Sequence, residues 1–201
     1  MDKILPLYEM RINAQMDSDL EVSAISLVDV PATEKMWQAF KSTPQLMQFA
    51  EINEDQKIIV GAAMIPDLFI YRNDPERGEY NVVFSKDTVR CIAEKFYAKG
   101  FQGNANIMHD AGQAVAGVNY FLSWFKDDAK GMVGLTGDYP DGTWFVGAKV
   151  NNDAVWAKVK AGEIKGFSVE GLFEFEISNA APTEDESLFE KIKNILNEIS
   201  D

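Results

Sequence analysis

Ile58-Ile-Val-Gly-Ala-Ala-Met-Ile65, closed by Pro66-Asp67, is a nearly unbroken apolar run of strand length. Leu68–Tyr71 continues extended into the turn-rich Arg72-Asn-Asp-Pro-Glu-Arg-Gly78, and Glu79–Phe84 returns, which predicts a hairpin. Ser85 then caps a helix: Asp87 complements the positive end of the helix dipole, Val89, Ile92, Phe96 and Tyr97 form one apolar face, and Gly100 ends it. Strands followed by one main helix, with no alternating βαβ rhythm and no glycine fingerprint after a strand, set the fold class as α+β. The expectation is a mainly antiparallel β-sheet or small β-barrel with flanking helices.

On the N-terminal side, Leu20-Glu-Val-Ser-Ala-Ile-Ser-Leu-Val28 reads as a strand stopped at Asp29-Val30-Pro31. Thr33 can cap a short helix carrying Met36, Trp37 and Phe40, and Ser42-Thr43-Pro44 and the polar Glu51-Ile-Asn-Glu-Asp-Gln56 read as linker. On the C-terminal side, Ala105–His109, Val115–Phe125, Met132–Leu135 and Thr143–Val150 read as extended. Asn151 or Asn152 caps a short helix with Val155, Trp156 and Val159, closed by Gly162, and Gly166–Ile177 forms the final strand. The predicted organisation is an N-terminal piece over 1–56 partly integrated in the main domain, a core over 57–178, and a hinge with a C-terminal amphipathic helix over 179–201. In that last piece Leu188, Ile192, Ile195 and Ile199 make a stripe too short to stand alone in water, so it is expected to pack on its own domain, a second copy or a scaffold helix.

Composition excludes several functions. With 19 Lys and Arg against 32 Asp and Glu, a formal net charge of −13 repels phosphate backbones and anionic lipid, so neither nucleic acid nor membrane is expected as a partner. One cysteine, Cys91, cannot form an internal disulfide, and the absence of a secretory pattern at the start or of any membrane-length apolar run fits a cytoplasmic chain. One histidine and one cysteine make no conventional zinc set, and the carboxylates lack calcium-loop spacing, so no metal or other cofactor is expected.

The chemistry points to that single histidine, His109, and to Ser168 in Gly166-Phe-Ser-Val-Glu-Gly171, 59 residues later. A serine hydroxyl attacks only when a base removes its proton, and an imidazole titrating near neutrality is the side chain suited to do so. Gly166 and Gly171 would let substrate backbone approach. The second glycine is one place too late for the nucleophile elbow of α/β-hydrolases. To orient His109, Glu170 is the first choice, because residues two apart on a strand share a face with Ser168. Glu174 and Glu176 share it too, and Asp110 is adjacent in sequence. Cys91 as nucleophile is the weaker alternative, since it falls inside a helix as a small apolar residue would. Trp124, Trp144 and Trp156 are expected as core or groove walls.

Six segments carry a resemblance when taken in order: Gly61-Ala-Ala-Met-Ile-Pro-Asp67, Tyr80-Asn-Val-Val-Phe-Ser85, Asn106-Ile-Met-His109, Gly142-Thr-Trp144, Trp156–Gly166 and Phe167-Ser-Val-Glu-Gly171. Together with Ala24-Ile-Ser-Leu-Val-Asp-Val-Pro-Ala32, this set resembles phage serine proteases of the XkdF type over roughly residues 20–177. That family is similar to the capsid maturation, or prohead, proteases of tailed phages and more distantly to herpesvirus assemblin. The resemblance implies a serine endopeptidase that acts in the host cytoplasm, inside the assembling procapsid, on scaffold protein, major capsid protein and itself. Its histidine falls on His109 and its serine on Ser168. Assemblin's second histidine has no counterpart here, and no arginine follows Ser168 to organise the oxyanion hole, a role left to backbone N–H groups or water. The alternative is a non-catalytic virion structural or scaffold-docking protein that keeps a protease-like fold.

Overall fold

A computed structural model describes residues 5–29, 48–135 and 138–177. The helix expected after Thr33 and the C-terminal amphipathic helix fall outside them. Among the described residues, twelve strands and two α-helices follow in the order β1 (Leu7–Arg11), β2 (Val22–Val28), β3 (Phe49–Asn53), β4 (Ile58–Met64), β5 (Ile70–Asp74), β6 (Gly78–Val83), α1 (Lys86–Ala98), β7 (Ala105–Ile107), β8 (Asp110–Ala114), β9 (Val118–Phe125), β10 (Trp144–Val150), α2 (Asp153–Lys160), β11 (Gly166–Gly171) and β12 (Glu174–Ile177). The strands form three four-stranded sheets, ordered β12-β1-β6-β5, β3-β4-β10-β9 and β11-β2-β7-β8. Pairing is antiparallel except at β1–β6 and β2–β7. The fold is α+β as expected, and among the described residues no sheet closes into a barrel.

Helix α1 forms for the reasons its sequence gives. Ser85 accepts the Thr88 N–H at the N-cap, and Gly100 takes the left-handed conformation just past the C-cap Lys99. Val89, Ile92, Ala93 and Phe96 recur at helical spacing and are buried, with the Phe96 ring edge-on to Trp144 at 5.9 Å and Tyr120 at 6.3 Å. In the β5–β6 hairpin, Asp74 Oδ1 accepts the N–H groups of Glu76 and Arg77, and Gly78 supplies the positive φ that closes the turn. Asn152 caps α2 through Ala154 and Val155. Trp144 and Trp156 are core residues, while Trp124 stacks on Phe145.

Three expectations are corrected and two strands are added. Phe49–Asn53, whose polar neighbours read as linker, is an edge strand paired with β4; an edge strand with a solvated face accepts acidic residues that composition alone assigns to a loop. Met132–Leu135 forms no strand and makes only an isolated bridge from Met132 to Asp127, where Gly131 turns the chain. The final strand is two strands: the chain breaks at Leu172-Phe173, and β12 leaves β2's sheet to pair with β1. Finally, β1 and β8 went unforeseen, because each is only five residues long and lacks a clear apolar alternation.

The strand that carries Ser168 is fixed from the inside. Phe167 is fully buried and packs edge-on against Phe49 at 4.8 Å and Tyr120 at 5.8 Å. The Tyr120 hydroxyl donates to the Ile25 carbonyl of β2 at 2.8 Å, and burial holds its phenol far above the ordinary range, so it remains a donor. β11 and β2 are therefore pinned to the same core.

Candidate active site

Ser168, Ser26 and Asn106 form one polar row across three strands. Ser168 of β11 is the register partner of Ser26 on β2, and Ser26 is the register partner of Asn106 on β7. All three are buried, at 4, 0 and 5% exposure, in strands whose neighbouring residues are apolar. Polar side chains in such a place must find hydrogen-bond partners within the protein.

His109 completes the row from above. It sits in the two-residue turn between β7 and β8, where Met108 and His109 have φ of 55° and 58°. Two successive positive φ values match the tight turn whose twist suits a hairpin, normally built with Asn-Gly; two side-chain-bearing residues here cost on the order of 1 kcal/mol each. The turn is tied to β2 by the Met108 N–H donating to the Leu27 carbonyl at 3.1 Å. This conformation sends the imidazole back over the sheet instead of out along the strand.

The contacts then follow one direction. His109 Nε2 lies 2.9 Å from Ser168 Oγ, and Nδ1 lies 3.0 Å from Ser26 Oγ. Ser26 Oγ donates to Asn106 Oδ1 at 2.5 Å, and Asn106 Nδ2 donates to Glu170 Oε2 at 2.5 Å. With the proton on Nδ1, every group has a matched role: the Ser168 hydroxyl donates to Nε2, Nδ1–H donates to Ser26, and the chain ends on a carboxylate, which only accepts. Glu170 Oε2 also stands 3.7 Å from Nδ1 and 3.4 Å from Ser26 Oγ. It faces the imidazole as the ion-pair partner of its protonated form, whereas the direct hydrogen bond of Nδ1–H is donated to Ser26.

Burial pushes the His109 pKa below its ordinary value; the Glu170 carboxylate works against that, and the Arg72 charge adds to it. The neutral imidazole, the form that accepts a proton, is thereby favoured near neutrality. The arrangement can deprotonate Ser168 and hold the resulting imidazolium between a hydroxyl and a carboxylate.

Of the residues singled out from sequence, Ser168, His109 and Glu170 are brought together. Glu174 and Glu176 are not: they lie exposed on β12 in another sheet, where Glu176 pairs with Arg11 at 2.5 Å. Asp110 opens β8, with its backbone opposite Ile107. Cys91 is a free thiol on α1 whose pKa burial raises, which disfavours the reactive thiolate. Gly171 is not small for a substrate's sake: a Cβ there would stand 2.1 Å from the Glu21 carbonyl oxygen, so the chain's own backbone fills that space. Among the described residues no cluster of ligating side chains could hold a metal ion, and no helix is long and apolar enough to cross a membrane.

The family described as "Putative phage serine protease XkdF" matches residues 45–176, about two thirds of the sequence, a span that contains His109, Ser168 and Glu170. The chain belongs to that family. Comparison with curated proteins and with solved structures finds no match. Ser26, which touches the histidine of this XkdF-type chain most directly on its Nδ1 side, lies on β2 before the matched span. Sequence reasoning missed Ser26 and Asn106, although each left a signal, a lone polar residue inside an apolar strand: Ile25-Ser26-Leu27 and Ala105-Asn106-Ile107.

Proposed function

We propose that this chain is a serine endopeptidase of phage capsid maturation, with Ser168 as nucleophile, His109 as general base and acid, and Ser26 and Glu170 as groups that orient and compensate the imidazole. The observation that carries the reading is the 2.9 Å contact between His109 Nε2 and Ser168 Oγ, backed on the far side of the ring by a hydrogen-bond chain ending at Glu170.

In this reaction Ser168 Oγ attacks the scissile carbonyl carbon while its proton passes to Nε2. The imidazolium returns that proton to the leaving amine as the C–N bond breaks, which leaves an ester on Ser168. A water molecule, deprotonated by the same nitrogen, then attacks the ester; the acid product departs and Ser168 recovers its proton. Nδ1–H stays with Ser26 throughout, so one tautomer serves every step.

The substrates proposed are scaffold protein, major capsid protein and the chain itself, inside the assembling procapsid, and the C-terminal segment would serve self-association or scaffold docking. Membership of a phage serine protease family supports the reaction class. The test is co-expression with the neighbouring scaffold and capsid proteins, followed by mass mapping of new termini. Cleavage that requires both Ser168 and His109 is expected; termini that persist in a folded Ser168→Ala protein would reject the assignment.

A further inference from the structure

Asn106 stands between two groups and bonds each with a different end of its amide. Nδ2 lies against Glu170 Oε2 at 2.5 Å, and Oδ1 lies against Ser26 Oγ at 2.5 Å. A carboxylate only accepts, so the NH₂ end must face Glu170; turned over, the amide would press its oxygen onto that carboxylate. Asn106 is 5% exposed on β7, between β2 and β8, so its polar ends depend on protein partners.

The protons of the whole row follow from that one orientation. Because Oδ1 accepts, the Ser26 hydroxyl spends its only proton there and meets His109 Nδ1, 3.0 Å away, with a lone pair that only an Nδ1–H can use. Nε2 is thereby left as an acceptor, 2.9 Å from the Ser168 hydroxyl. Which imidazole nitrogen carries the proton is set by the bond the other one makes. In the opposite tautomer an N–H would face Ser168 and could not take its proton. The direct path from Glu170 is longer, 3.7 Å to Nδ1 and 3.4 Å to Ser26 Oγ, than either link through Asn106.

We propose that Asn106 is the positioning residue that fixes the His109 tautomer, and that Glu170 acts on the neutral imidazole by setting the direction of the Asn106 amide. The consequence for turnover rests on the serine protease reading, whereas the tautomer exists without substrate. A carboxylate at the end of the row leaves only one direction matched. Glu170→Gln removes that bias, because an amide facing an amide is matched in either sense, and the reversed row puts Nε2–H against Ser168. Adding Asn106→Asp exchanges the two groups: the carboxylate then accepts from Ser26 and from the amide at position 170, and the original direction returns.

The test uses the chain's single histidine, so that the ¹⁵N spectrum of the full chain labelled at histidine holds one imidazole. It is recorded at about pH 8, where the ring is neutral. The wild type should show a protonated Nδ1 and an unprotonated Nε2. Glu170→Gln should raise the Nε2–H form to about half, with kcat on a scaffold-derived peptide falling about twofold at unchanged KM. Asn106→Asp combined with Glu170→Gln should return the wild-type tautomer, with kcat recovering in step, and thermal melting checks that each variant is folded. A wild type in the Nε2–H form would overturn the proposal, and so would a folded Glu170→Gln protein whose tautomer does not move, or a folded double variant that keeps the Nε2–H form. A wild type with Nδ1–H that cleaves no peptide would reject the protease reading and still support the tautomer assignment.

Discussion

Strand β2 is held by two buried polar clusters that differ in one respect. At its start, Lys95 of α1 is buried at 1% exposure, and its ammonium donates to the carbonyls of Asn13, Ser18 and Leu20 at 3.1, 2.8 and 3.2 Å, with Glu21 3.5 Å away. Three donors meet three acceptors, and the cluster is closed. At its middle, Ser26 belongs to the row of Ser168, His109, Asn106 and Glu170, where the imidazole is about 42% exposed and Ser168 lines a cavity. Both clusters satisfy their buried groups, but only the second ends on a hydroxyl that an outside molecule can reach. Closure makes a polar cluster structural; an open end gives it the means to react.

The largest effect that would sharpen this contrast is on turnover. Ser168→Ala should lower it by about 10⁴-fold or more, on the order of 5 kcal/mol of transition-state stabilisation, with thermal stability nearly unchanged. His109→Ala should match it, and the double variant should be no worse, because groups acting as one unit are not additive. Steady-state kinetics on a scaffold-derived peptide decides this.

Lys95→Met should do the reverse. It leaves three buried carbonyls without their donor, at a cost of roughly 2–4 kcal/mol, read as a lower urea midpoint. Turnover per folded molecule should stay within about twofold. A Lys95→Met protein with full stability and lost activity would break the comparison.

Smaller effects order the groups behind His109. Ser26→Ala removes the direct acceptor of Nδ1–H and should lower turnover by about 10–100-fold. Glu170→Gln keeps the Asn106 contact as an amide and should cost less than about tenfold. The reverse order would make Glu170 the orienting group and Ser26 a bystander.

The smallest effect is on pH dependence. Burial lowers the His109 pKa, so the acidic limb of kcat/KM should have its midpoint below the free imidazole value of about 6.5, with activity lost as pH falls through it. Glu170→Gln removes the influence that raises this pKa and should move the limb to still lower pH. The sign for folding is the same: the unfolded imidazole binds a proton first, so His109's contribution to stability is fully present above about pH 6.5 and is lost below it. A limb above that value would contradict the downward push that desolvation gives this half-exposed ring.

Much of this was legible in the sequence, for physical reasons that also explain the remainder. The β5–β6 hairpin and α1 were readable because periodicity, turn residues and caps agree there. β3 was not, since an edge strand's polarity resembles a loop's. Ser168 and Glu170 could be paired from strand alternation alone, but the turn that folds His109 over β2 depends on two positive φ values at Met108 and His109, which no residue type announces. Ser26 and Asn106 required knowing that β2 lies between β11 and β7, a non-local pairing across about 80 residues of chain. Their one local trace was a polar residue in an apolar strand, the same trace Ser168 leaves.

The central claim, that His109 activates Ser168, is tested most directly by labelling with a fluorophosphonate, which phosphonylates only an activated serine, followed by peptide mass mapping. The adduct should sit on Ser168 in the wild-type chain, persist in Lys95→Met, and vanish in His109→Ala. Stoichiometric labelling of Ser168 in a folded His109→Ala protein, or labelling of a different serine in the wild type, would contradict it.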